Sequence, residues 1–328
     1  MLPVPSVLQK FLRERDARFV LFDLGADKTS WRGVRLLAAV FFGSLLIAAV
    51  LTPPAYWLVE LWHDRTGSAN AQWLLDKGVD VYFDRLRIAA IVLGLPWLMS
   101  VCHLWSKRAI GLGPEIRNFV GCLLGLFAGV LLIDGLSRWK NIPMSGYDDI
   151  FSANDVPAKI KIILEAVLGG VILGFLEETI FRGMILRIFY TATRRPWLAL
   201  ASMSAFFAYT HFKVPTTVWS HVAPGVHWDT GFFVAFWTTF GITENFNLAQ
   251  FVVLWLLGMV LGALTLRTGS LWPAIGLHTG TVAMMFFYRG SGLTEGWAAA
   301  APLGVILMVI VLLKKKTALP TDSASPPA

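Results

Sequence analysis

Long apolar runs, separated by short charged or Pro/Gly-bearing stretches, occupy the chain from position 36 onward. They are Leu36–Leu51, Ile88–Trp105, Phe119–Ile133, Ile160–Leu186, Trp197–Phe212, Phe251–Leu266, Leu271–Phe287 and Ala298–Leu313. Several approach the roughly 20 residues a helix needs to cross a bilayer. None alternates with the period of a barrel strand. The pattern predicts an all-α, polytopic transmembrane helix bundle of about eight spans. Gly231–Ile242 is apolar but too short to cross, and reads as a re-entrant or interfacial piece.

Composition agrees. Hydrophobic residues make up 56% of the chain and charged residues 15%, against about 25% charged in an ordinary soluble protein. Trp31, Trp57, Trp105, Trp197, Trp272 and Trp297 stand at run ends, as an interfacial belt would place them. The net charge of +7 comes from Lys and Arg at alternate run boundaries: Arg32 and Arg35, Lys107 to Arg117, Arg187 to Arg195, Arg267, and Lys314–Lys316. Alternate boundaries share one side of the membrane. The positive-inside rule makes that side cytoplasmic and puts both termini there. The basic charge therefore reads as topology, and nucleic acid is not an expected partner. The reading is a multi-pass protein of a bacterial cytoplasmic membrane, with the bilayer as its first partner. Cys102 and Cys122 lie in apolar runs and read as core thiols, not a disulfide framework. Residues 1–30 lack the apolar core of a secretory signal, and the Pro/Ser-rich tail 317–328 is expected to be disordered.

Against this background a few polar residues stand out. An ionisable group inside a span costs several kcal/mol unless it is paired or faces a cavity, so it is a functional candidate. Glu177 and Glu178 are adjacent in the fourth run, four residues before Arg182. Glu178 and Arg182 share a helix face in the favourable order and form a pair. Glu177 points about 100° away, on the face of Gly170, Gly174 and Phe181. It has no partner in its own helix and is the candidate general base. His211 ends the fifth run and His278 sits within the seventh. Each alone reads as an interhelical hydrogen-bonding residue, and a buried Glu178–Arg182 pair alone could simply pin packing. Together with an unpartnered glutamate they read as a catalytic constellation. Gly276 with Gly280, and Gly258 with Gly262, have spacings that permit close helix approach. His103, Asp134 and Glu165 are explained by snorkelling or capping, and His221, His227, Asp229 and Glu244 match no metal spacing.

Glu177-Glu178-x-x-x-Arg182, then Phe207-x-x-x-His211, then His278 resemble the CPBP (CAAX protease and bacteriocin-processing, or Abi) family of intramembrane proteases. The resemblance covers about residues 156–290. It divides the chain into 1–155 (N-terminal segment and three spans), 156–290 (protease core) and 291–328 (last span and tail). It implies a membrane-anchored or lipidated protein or peptide substrate, cut at a peptide bond. In that family frame Glu177 activates water, Glu178 and Arg182 support and orient it, His211 positions water or transfers protons, and His278 stabilises the oxyanion. No cofactor is assigned, although Glu177, His211 and His278 have the donor chemistry of a catalytic zinc shell. The Glu178–Arg182 pair favours metal-free catalysis. One departure is Val282, where the family usually has Asn or Asp; Thr279 and Thr281 are the candidate substitutes. The rival readings are a non-catalytic immunity or scaffold protein of the same fold, which Val282 favours, and a proton-coupled transporter.

Overall fold

The computed structural model describes residues 31–101, 111–113, 116–142, 156–212, 225–240, 246–288 and 297–312. Every regular element among the described residues is helical. In order they are α1 (Arg32–Thr66), α2 (Ala69–Leu75), α3 (Val79–Val101), α4 (Ile116–Trp139), α5 (Val156–Glu178), a π-helical stretch (Thr179–Ile185), α6 (Leu186–Thr193), α7 (Pro196–Thr210), α8 (Thr230–Phe240), α9 (Leu248–Thr268), α10 (Trp272–Phe287), a 3-10 turn (Trp297–Ala299) and α11 (Ala300–Leu312). The all-α expectation is met. Arg32–Thr66, Asn118–Trp139 and Leu248–Thr268 are long and apolar enough to cross a membrane, and Trp297–Leu312 is apolar but shorter. The remaining expected spans are less clear for physical reasons. α7 and α10 have only 15 and 16 residues, and α5 carries Lys159, Lys161, Glu165 and the glutamate pair.

Large apolar side chains are exposed along whole helices: Phe119, Leu124, Phe127 and Leu131 on α4, and Ile160, Leu164, Leu168, Ile172 and Leu176 on α5. A soluble monomer rarely exposes continuous apolar surface of this extent. A wall facing lipid does so without cost.

α1 runs well past the expected end at Leu51 and holds Pro53 and Pro54 in its interior. Neither proline can donate to the carbonyl four residues back, so those of Ala49 and Val50 lose their usual helical donors. The short helix α8 docks at this place. A Cβ on Gly231 would overlap the Ala49 carbonyl, so only glycine permits the approach. Val234 then joins Leu45, Ala48, Val79 and Phe83 in a common apolar cluster. The expectation of a short non-spanning piece after Gly231 agrees with this 11-residue helix.

α10 is the centre of the site-bearing half, packed between α4 and α5. Gly121, Gly125 and Gly129 of α4 face Pro273, Leu277 and Thr281 of α10, while Gly276 and Gly280 of α10 face Cys122 and Leu126 of α4. On the other side, Gly170 and Gly174 of α5 lie against Thr279 and Ala283. Backbones meet almost directly on both faces, which draws the middle of α10 close to the end of α5. Gly276→Val should therefore force α4 and α10 apart, with an overpacking cost of about 1–3 kcal/mol. Thermal unfolding in detergent should show a lowered Tm relative to Gly43→Val on α1, where open space surrounds the glycine.

Cys102, His103, Lys107, Arg108, His221, Glu244, Lys314–Lys316, the N-terminal 1–30 and the tail 317–328 lie outside the described residues.

Candidate active site

The α-helical part of α5 ends on Glu177 and Glu178, and the chain continues as π-helix through Ile185, where the Leu186 N–H bonds the Phe181 carbonyl. Such π-helical insertions are rare and recur at functional sites. This one carries Arg182. Its Nη1 donates to Glu178 Oε1 at 2.7 Å, with both side chains fully buried. The guanidinium also lies 4.5 Å from the centre of the Phe207 ring on α7, and Nη2 donates to the Gly258 carbonyl on α9 at 3.3 Å.

Glu178 Oε1 has a second partner, Nδ1 of His278 at 2.8 Å. A carboxylate oxygen paired with Arg182 accepts, so this geometry assigns the ring hydrogen to Nδ1. The Nε2 of a neutral His278 then carries a lone pair. The same logic applies to His211. Its Nδ1 lies 2.8 Å from the Phe207 carbonyl, which can only accept. Both Nε2 atoms face one oxygen: Glu177 Oε2 is 3.7 Å from that of His211 and 3.8 Å from that of His278. That carboxylate oxygen is buried and has no hydrogen-bond partner. With both rings neutral, three acceptors converge without a donor among them. The shared requirement is a molecule that can donate more than one hydrogen, and water meets it.

Exposure is graded across the group. Glu178 and Arg182 side chains are 0% exposed and that of His278 5%, whereas Glu177 is 25% and His211 32% exposed. The more exposed members thus stand at the end of α5 and just past the C-terminal end of α7, and the charge pair is the buried side of the group.

The structure thus brings together Glu177, Glu178, Arg182, His211 and His278. It alters one relation: Glu178 reaches His278 directly, a contact that helix geometry within α5 alone could not reveal. It also shows where the two candidate substitutes for the polar residue absent at Val282 stand. The Thr281 hydroxyl donates to the His278 carbonyl at 2.7 Å in its own helix, as small hydroxyl side chains do when no other acceptor is near. Thr279 stands against Gly174 of α5. The lesser candidates stay apart. Asp134 accepts from Arg138 Nε at 2.8 Å and from Tyr288 Oη at 3.2 Å, and Glu165 is exposed beside Lys161 at 3.9 Å.

Two contributors were not legible as site residues. Phe207 supplies the carbonyl that orients His211 and the ring beneath Arg182; its place four residues before His211 was the available signal. Gly258 supplies a carbonyl from a helix without any polar candidate, signalled only by its spacing from Gly262.

The spacing of these donors gives zinc no support. No group of three or more His, Cys, Asp or Glu side chains among the described residues is arranged to hold a metal ion. The 3.7 and 3.8 Å separations exceed the edge of about 3.3 Å expected of a tetrahedron with zinc bonds of about 2.0 Å.

Residues 159–284 match the family of type II CAAX prenyl endopeptidase Rce1-like proteins, and this segment contains all five residues of the cluster. No curated protein and no solved structure matches the chain.

Proposed function

Because residues 159–284 are Rce1-like, we propose that this protein is an intramembrane endopeptidase that hydrolyses a peptide bond of a membrane-associated protein through water activated by Glu177. The observation that carries the reading is the buried Oε2 of Glu177, without a hydrogen-bond partner in the protein and with the Nε2 atoms of His211 and His278 at 3.7 and 3.8 Å. A water held there can donate one hydrogen to Glu177 Oε2 and the other to a histidine Nε2. As its oxygen bonds the scissile carbonyl carbon, its proton moves to Glu177. That proton can pass to Nε2 of His278, whose Nδ1 is held by Glu178. The imidazolium so formed donates to the oxyanion and then to the departing amine nitrogen as the C–N bond breaks. His211 keeps the water in line from the open side.

The multi-pass arrangement, about eight crossings with both termini cytoplasmic, belongs to the same proposal and is supported by the apolar runs and the boundary Arg and Lys residues. So does a membrane-anchored or lipidated substrate, for which the family match is the support.

His211→Ala should lower kcat by about 10²-fold, the lower end for loss of one proton-handling group, and leave Tm little changed because the ring is partly exposed. The assay is cleavage of an isoprenylated CAAX-type peptide by the purified protein in lipid vesicles, beside a comparison of membrane proteomes with and without the protein. Unchanged processing in both His211→Ala and Glu177→Ala would select the non-catalytic immunity or scaffold role that Val282 favours. Activity should also survive exhaustive chelation. Loss on chelation with recovery on adding zinc would contradict metal-free catalysis.

A further inference from the structure

We propose that Gly258 of α9 is a positioning residue for the Glu177 site, acting through a relay of contacts that ends on His278. This rests on the hydrolytic reading above and adds to it a helix that none of the site residues occupies.

Two independent features of Gly258 meet at one place. Its carbonyl accepts from Arg182 Nη2 at 3.3 Å. A helical carbonyl normally bonds the N–H four residues on, here that of Gly262, so this is an additional donor that reaches the oxygen from the side. Such an approach needs an uncrowded helix surface, and Gly258 itself has no side chain. Second, α7 closes on the same spot. A Cβ at Gly258 would lie 2.9 Å from Cβ and 3.1 Å from Cα of Ser204, whose side chain is fully buried. Backbone stands in the way there, and it cannot swing aside as a side-chain tip can. Gly262 differs: a Cβ there would meet chiefly the end of the Leu200 side chain, which can rotate away.

From Gly258 the contacts run inward. Arg182 Nη1 holds Glu178 Oε1, the same oxygen holds His278 Nδ1, and His278 Nε2 faces Glu177 Oε2. If α9 is pushed away from α7, the guanidinium loses its carbonyl and the carboxylate it orients is free to shift. The His278 ring then loses the alignment that turns its lone pair toward Glu177. Gly258 touches no reacting atom; its effect is transmitted entirely by Arg182.

The test uses Gly258→Ala, with Ser204→Val reaching the same contact from α7 and Gly262→Ala as the control. In vesicles, cleavage of the isoprenylated CAAX-type peptide by Gly258→Ala should fall about 10²-fold in kcat, the order expected for a misplacement near 1 Å, with KM unchanged. Gly262→Ala should retain wild-type kcat. Adding Gly258→Ala to Arg182→Ala should cause no further loss, since both act on one path. A readout independent of turnover is the 15N spectrum of the histidine rings in detergent. The Nδ1 and Nε2 resonances of His278 should move in Gly258→Ala and in Ser204→Val, and stay in place in Gly262→Ala. Unmoved His278 resonances in both variants, or losses that multiply with that of Arg182→Ala, would overturn the proposal. If the wild-type protein cleaves nothing while the resonances still move, the relay stands and the hydrolytic reading fails.

Discussion

Glu177→Gln should reduce kcat by about 10³- to 10⁴-fold, the upper range for loss of a general base, while the protein folds as well as the wild type or better. The substitution keeps the volume and one carbonyl-type oxygen but removes the basic carboxylate. No hydrogen bond from another protein group to Glu177 Oε2 is lost in the exchange. Holding a charged carboxylate away from bulk water costs folding free energy that a neutral amide does not, and natural active sites tolerate such cost for the sake of chemistry. A neutral amide can also donate to either histidine Nε2. Activity and Tm should therefore move in opposite directions. Measuring peptide cleavage and thermal unfolding on the same preparation checks this. A parallel fall of both would assign Glu177 a structural role.

The largest stability effect should come from the buried pair one residue on. Glu178 and Arg182 have side chains with no exposure and meet at 2.7 Å. Removing one partner of such a pair leaves an uncompensated buried charge, a loss of about 3–5 kcal/mol. Arg182→Met alone should accordingly lower Tm sharply and reduce the amount of folded protein. Replacing both by apolar residues of similar volume is often neutral or stabilising, so Glu178→Leu with Arg182→Met should recover most of the lost Tm. Activity should not return. His278 Nδ1 would have lost the oxygen 2.8 Å away that holds its ring, and the lone pair facing Glu177 would no longer be fixed. Recovery of stability without activity separates the site role of this pair from a purely structural one. Recovery of both would show that Glu178 serves packing alone.

The residues of this site were largely legible in the sequence because polar groups are so rare in apolar helices. Glu177, Glu178, Arg182, His211 and His278 are conspicuous where almost everything around them is Leu, Phe, Val or Gly, and the i to i+4 rule correctly joined Glu178 to Arg182. The cross-helix relations were not legible. Helix periodicity places a residue on a face of its own helix but says nothing of the neighbour's register. That His278 is more buried than His211 and directly bonded to Glu178 could therefore not be read from either helix alone. The π-helical stretch beginning at Thr179 leaves no compositional trace and changes which residues share a face beyond Glu178. The glycine rows fared unevenly. Gly276 with Gly280 signalled a close approach, but their partners Gly121, Gly125 and Gly129 on α4 went unread because a Gly- and Leu-rich run has several equivalent faces. Likewise the first apolar run stops at Leu51, whereas α1 continues through Pro53 and Pro54 to Thr66 with α8 lying against Ala49.

The central claim is that Glu177 activates water and does not itself attack the substrate. A single turnover in 18O-labelled water tests this claim. The wild-type protein, in excess over the isoprenylated CAAX-type peptide, should place one labelled oxygen in the new C-terminal carboxylate of the product and none in the Glu177 side chain. Label recovered in the Glu177 carboxylate, or unlabelled product after that first turnover, would show an acyl-enzyme path and contradict the account.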